Sequence, residues 1–135
     1  MASCASQVPT YEYGQRLAAK HPVSFYELLG NSEWYDGEPV YIFGVASFNF
    51  DYDTVSELFA SESDYKNKTH GRVILELEID DEKIKSDLIK LNGKYTHIEG
   101  VYRSFIKDRI QPDTITICKG FCGATGYIEV KSIFN

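Results

Sequence analysis

Apolar and polar positions alternate most cleanly from Arg72 to Ile79. Val73, Leu75, Leu77 and Ile79 fall on one side, and Arg72, Ile74, Glu76 and Glu78 on the other. A period of two is that of a half-buried strand. Pro39 to Phe50 is apolar on both sides at first: Val40, Ile42, Gly44 and Ala46 alternate with Tyr41, Phe43, Val45 and Ser47. That pattern suits a central strand or barrel wall, with Gly44 as a bend or bulge at a corner. Beyond it Asn49, Asp51 and Asp53 alternate with Phe48, Phe50 and Tyr52, predicting a partly exposed hairpin that returns along Val55 to Ala60. Tyr95 to Tyr102 sets Tyr95, His97, Glu99 and Val101 against Thr96, Ile98, Gly100 and Tyr102. Thr114 to Cys118 reads as a short β-branched strand. Tyr127 to Phe134 is the last strand, with Ile128, Val130 and Ser132 opposite Tyr127, Glu129, Lys131 and Ile133.

Helical spacing appears between these strands. Tyr13, Leu17 and Ala18 predict a short helix over Tyr11 to His21, stopped by Pro22. Ser24 and Glu27 form a capping box, so a helix should run from Phe25 to Gly30. Trp34 and Tyr35 lie in the following loop, Asn31 to Gly37, where they are expected to cover an open end of the core. Ser61 caps a single turn that closes near Asn67. Asp80, Asp81 and Glu82 open a longer helix on which Ile84, Leu88 and Leu91 recur. Asn92-Gly93 ends it with a left-handed position. Ser104 to Asp113 reads as a polar connection, and Gly120 to Gly126 as a glycine-rich turn.

The order is three strands, a helix, then two or three strands. It predicts a mainly β fold with short helices: an OB-like, five- to six-stranded, partly open Greek-key barrel, with a helix between strands three and four and an N-terminal helical segment. Residues 1–10 read as a tether and residues 11–135 as one domain.

Composition and charge narrow the partners. Aromatic residues make up 14% of the 135 residues, which favours pleated sheet. The formal net charge of -6 opposes a nucleic-acid backbone. Lys83, Lys85, Lys90 and Lys94 are interleaved with acids and read as a solvated helix face. No apolar run approaches the ~20 residues of a membrane-spanning helix.

The chain has three cysteines. Ala2-Ser3-Cys4-Ala5-Ser6 resembles the processing site of a bacterial lipoprotein. That resemblance implies a mature chain with a start Met added and a lipid on Cys4. A plain cytosolic N-terminus that holds a cysteine is the alternative. Cys118 and Cys122 leave an even pair, readable as a disulfide across Gly120, as two free thiols, or as half of a metal site. With no second Cys/His pair, zinc is the weakest of these.

Catalytic chemistry is thinly represented. His97 and Glu99 share a strand face and could be a base and its orienter, but any strand face can hold such a pair. No nucleophile elbow, phosphate loop or paired-His zinc motif occurs. Asp51 with Asp53, and Asp80 with Asp81 and Glu82, lack EF-hand spacing and read as a hairpin tip and a helix start. No metal or cofactor is implied. Phe48, Phe50, Tyr52 and Phe59 are the candidate binding residues, as stacking groups of an OB-type strand face; core packing is their other reading.

A broader likeness runs from Ser24 to Tyr102. Leu28-Leu29, Tyr35-Asp36-Gly37, Val40 to Gly44, Leu58 to Ser61 with Asp64-Tyr65, Leu91 to Tyr95 and Ile98 to Gly100 together resemble a family of small, uncharacterised bacterial OB-like proteins. Some of that family look like lipoproteins. The resemblance implies a fold and an envelope location, and it carries no activity. Ser104 to Thr125 departs from the family pattern. The expectation is a non-enzymatic binding module of the bacterial cell envelope, periplasmic and lipid-anchored, that recognises a protein partner as an immunity or inhibitor protein does. A cytoplasmic location is the alternative to the envelope. A binder of single-stranded nucleic acid or oligosaccharide is the alternative function.

Overall fold

The computed structural model describes residues 11–69, 71–105 and 124–135. Five strands close on themselves: β3 (Pro39–Ser47), β4 (Ser56–Phe59), β5 (Arg72–Glu76), β6 (Tyr95–Ser104) and β7 (Gly126–Phe134). β3 pairs antiparallel with β4, β4 with β5, β6 with β7, and β6 with β3. β5 pairs parallel with β7 and completes the ring. The ring is closed, where the sequence pattern left it partly open. Parallel pairing of β5 and β7 is the step that removes the free edge.

Two short strands extend the sheet. β1 (Glu12–Gly14) pairs antiparallel with β7 at Ser132–Phe134, beyond the end of β5. β2 (His21–Pro22) pairs parallel with β3 at Val40–Tyr41, beyond the end of β4. The helix expected over Tyr11 to His21 is therefore absent: a short strand stands near each end, and residues 15–20 form an irregular crossing between them. An isolated helix of that length has little stability of its own, whereas the β7 edge supplies partners at once. Gly14 has φ +77, and a Cβ there would lie 2.1 Å from the Lys131 carbonyl oxygen, so the chain leaves β7 at a position only glycine can occupy.

The remaining local predictions follow their caps. Helix α1 (Phe25–Gly30) carries the full box: the Glu27 N–H donates to Ser24 Oγ at 3.2 Å and the Ser24 N–H to Glu27 Oε1 at 3.1 Å. A 3-10 turn spans Ser32–Tyr35. Trp34 in it is 71% exposed, whereas Tyr35 packs half-buried against the core as expected; Ser32 is the buried residue there. Helix α2 (Glu62–Asn67) is capped by Ser61, and helix α3 (Glu82–Ile89) by Asp81, whose carboxylate accepts from Lys83 and Ile84 amides. β3 ends at Ser47, so Phe48 to Asp53 lies outside the ladder. Gly44 carries no bulge and pairs in register with Thr96.

The core fills the ring with Val40, Ile42, Ala46, Leu58, Val73, Leu75, Ile98, Tyr102, Ile128 and Ile133, closed by Phe25, Leu28, Leu88 and Leu91 from the helices and their ends. One irregularity sets the outside surface. Between Glu99 and Gly100 the β6–β7 register slips, so that Glu99 faces Ser132 and Gly100 faces Val130. Lys131 is the extra residue of this β-bulge, and its carbonyl accepts from the Gln15 N–H at 3.1 Å. The bulge reverses the phase expected for the end of β7. Ile133 turns into the barrel opposite Ile98, and Ser132 and Phe134 share the Glu99 and His97 face. The expected strand at Thr114 to Cys118 and the tether 1–10 lie outside the described residues.

Candidate functional site

Strand alternation carries Tyr41 and Phe43 of β3, Tyr95, His97 and Glu99 of β6, and Ser132 and Phe134 of β7 to the outside of the barrel. Three adjacent strands thus present a run of rings. Phe43 stacks on Tyr95 with centroids 5.1 Å apart. His97 lies 4.6 Å from Phe43 and 4.7 Å from Phe134, nearly parallel to the latter. The Tyr41 ring flanks His97 at 5.7 Å. The Arg16 guanidinium carbon lies 3.6 Å over the centroid of Phe134 and closes that end. Phe43 is 45% exposed and Tyr95 43%.

His97 is fixed within this ladder. Its Nδ1 is 2.5 Å from the Tyr41 hydroxyl. Burial, and then the charge of Arg16, holds the imidazole below its ordinary value of 6.5, so at neutral pH the ring is uncharged. Burial raises the Tyr41 hydroxyl, which stays protonated. The protonated phenol and the neutral imidazole share one hydrogen bond, and the ring tautomer sets which of the two donates.

Glu99 has different partners. It is fully buried beneath the segment joining β1 to β2. Its Oε1 accepts from the Leu17 N–H at 2.8 Å and lies 3.4 Å from Arg16 Nε, and its Oε2 is paired with Lys20 Nζ. Burial acts to raise this carboxyl. The hydrogen bonds from Lys20 and Leu17, with the charges of Lys20 and Arg16, outweigh it and hold the group below its ordinary value. His97 and Glu99 are neighbours on one face but belong to two networks, one aromatic and one ionic. They do not form a base with its orienter.

The four residues singled out as stacking groups are spread over three environments. Phe48 is 1% exposed and belongs to the core. Phe59 is fully buried on the outside of β4, under the edge of Tyr65 from α2 and the Lys68 ammonium. Tyr52 is 92% exposed at the hairpin tip. Phe50 lines a cavity of about 460 Å³, shared with Asn49, Thr54, Glu76, Phe105 and Tyr127. Beside it on the β4–β5 face, Arg72 Nε and Glu57 Oε2 pair at 3.1 Å. Cys4, Cys118 and Cys122 lie outside the described residues. Among the described residues no three His, Cys, Asp or Glu side chains converge as a metal set, and no helix is long and apolar enough to cross a membrane.

The outward rings of β3 and β6 were visible in the sequence as the second apolar side of Pro39 to Phe50 and as the Tyr95–His97 alternation. Phe134, Arg16 and Lys20 gave no such signal, because the bulge and the fold-over of residues 15–20 bring them in. Compared with protein-family models and with curated proteins, the sequence matches none.

Proposed function

We propose that this chain is a non-enzymatic binding module of OB type that recognises a protein partner through the ring ladder on β3, β6 and β7. The ring order β3-β4-β5-β7-β6, the parallel β5–β7 pair and α3 between the third and fourth barrel strands support the OB reading. The observation that carries the function is the pair Phe43 and Tyr95, two stacked rings nearly half exposed on a rigid three-stranded face. Solvent-facing aromatics with an arginine at their border are the composition of protein-interface hot spots. The rings stand side by side, so they offer edges and a ridge. A base or sugar that stacks on a flat ring face would find little here, whereas a packed apolar groove on another protein fits a ridge.

The acidic net charge of -6 suits a basic partner, as for an immunity or inhibitor protein. The sequence likenesses support, as part of the same proposal, an envelope location and a lipid on Cys4. The test is capture from bacterial envelope extract by the native protein and by Phe43→Ala/Tyr95→Ala. A defined protein held by the first and lost by the second is the expected result. Equal capture by both, or none by either, overturns the reading. Intact mass of the native protein reports the lipid and the Cys118–Cys122 bond together.

The cavity beside Phe50 supports a second reading, a small oligosaccharide or a short single strand bound between hairpin and barrel. Rings from Phe50, Phe105 and Tyr127 with the amide of Asn49 suit a sugar, and the Glu76 carboxylate disfavours phosphate. Glycan and filter-binding assays at low salt, with Phe50→Ala as control, decide it: no affinity in either assay removes it.

A further inference from the structure

Residues 15–20 cross the outside of β7, β6 and β3 from the end of β1 to the start of β2, over the ladder's Phe134 end. From Gly14 to Pro22 no residue of the chain is buried. The pairings that flank the crossing are short, three residues at β1 and two at β2. The crossing is held mainly by polar contacts to one carboxylate, beside the Gln15 N–H on the Lys131 carbonyl at its start and the Arg16 guanidinium over Phe134. Leu17 N–H, Arg16 and Lys20 all converge on Glu99, and the Lys20 ammonium also donates to the Leu17 carbonyl at 3.1 Å. Arg16 and Lys20 are themselves partly exposed, so contacts of this kind hold the crossing less firmly than buried apolar packing would, because the charges recover hydration when it opens. Segments with few buried apolar contacts are those that open locally, ahead of the fold.

We propose that residues 15–20 are a detachable strap, hinged at Gly14 and latched by Arg16 and Lys20 on Glu99, and that its release extends the ring ladder into a longer docking face. Release lifts Arg16 from the outer face of Phe134 and uncovers Glu99 and Ser132, both fully buried in the latched form. Tyr11 and Tyr13 pack against the core and anchor the chain before the hinge; Val23 and Phe25 anchor it after β2. The charged and titratable groups that face Glu99 are Arg16 and Lys20 of the strap, Tyr41 of β3 and His97 of β6. From β7 it meets the uncharged Ser132 and Phe134. This inference rests on the ladder being a docking face, but the strap itself is measured without any partner.

The strap holds its own reporters, because trypsin cuts after Arg16 and after Lys20. Glu99→Gln keeps the size of the side chain and an acceptor for the Leu17 N–H, and removes the charge. In the full chain at neutral pH it should be cut at these two bonds roughly tenfold faster than the native protein, since cleavage follows the open population. Cuts elsewhere should keep their native rates. Binding of anilinonaphthalene sulfonate should rise with it, and the rise should vanish in Glu99→Gln/Phe134→Ala. Lys20→Met, a change in a partly exposed side chain, should accelerate the Arg16 cut and serves if Glu99→Gln fails to fold. Native cutting rates at Arg16 in the folded variants overturn the latch. Faster strap cutting without added dye binding overturns the gating of the ladder. Loss of partner capture in Phe43→Ala/Tyr95→Ala bears only on the docking reading and leaves both strap results in place.

Discussion

Alanine at position 100 puts a methyl group where the barrel has no room for one. A Cβ on Gly100 would lie 2.3 Å from the Glu129 carbonyl oxygen, 2.6 Å from Ile128 Cγ2 and 2.9 Å from the Glu129 carbonyl carbon. An ordinary carbon–oxygen approach is about 3.3 Å or more, so relief needs about 1 Å of separation between β6 and β7 at the bulge. The neighbour is backbone in a paired strand and cannot swing aside. Overpacking of this kind costs about 1–3 kcal/mol. Stretching one or two ladder hydrogen bonds adds about 1 kcal/mol each. The stiffer unfolded chain returns about 0.4–1 kcal/mol. The net is a destabilisation of about 3 kcal/mol, which for a domain of this size lowers Tm by roughly 10 °C. Thermal melting followed by circular dichroism measures it, with Gly30→Ala as the companion. Nothing lies within 4 Å of a Cβ at Gly30, and its φ is not positive, so that change should hold or slightly raise Tm. A Gly100→Ala protein melting within about 2 °C of the native one, well inside the shift expected for overpacking, would refute the bulge packing described above.

Phe59→Ala should cost about 3–5 kcal/mol in denaturant melts, while Tyr52→Ala stays within about 0.5 kcal/mol, because one ring is fully buried and the other 92% exposed. Tyr102→Phe removes a buried hydroxyl that meets Ser32 Oγ at 2.7 Å and Thr125 Oγ1 at 3.0 Å, and should cost about 1–1.5 kcal/mol, since Ser32 keeps its contact with Ser104 Oγ at 2.6 Å. Acid should weaken the fold in two stages. His97 is held below 6.5 in the folded chain, so the unfolded chain takes its proton first and stability falls as pH drops below 6.5. Glu99 is held below 4.5, so its contribution, whole above 4.5, is lost as pH falls further through its folded value. Urea midpoints from neutral to acid pH should show both limbs. Glu99→Gln should flatten only the lower one, and an unchanged lower limb in that variant would contradict the latch electrostatics.

Local pattern determined much of this protein. The period of two located the inner sides of β3, β5 and β6, and the 3.6 spacing of Ile84 and Leu88 located α3. Ser24 with Glu27, and Ser61, fixed two helix starts, because a cap needs only residues two or three positions away, and the acids Asp80 to Glu82 marked a third. Tertiary structure decided what depends on a distant strand. Tyr11 to His21 carries helical spacing and forms no helix, since β7 and β3 offer edges to its two ends. Phe48 and Phe59 alternate like surface aromatics and are buried, since periodicity names a side and not what covers it. The end of β7 changes phase at Lys131, because Gly100 lets β6 approach the Glu129 carbonyl more closely than any residue with a Cβ could. Glu99 accepts from the Leu17 N–H, 82 positions away, and pairs with the neighbouring Arg16 and Lys20. The Phe134 end of the candidate face is built at those last two points, where strands far apart in sequence meet, and no local pattern records such a meeting.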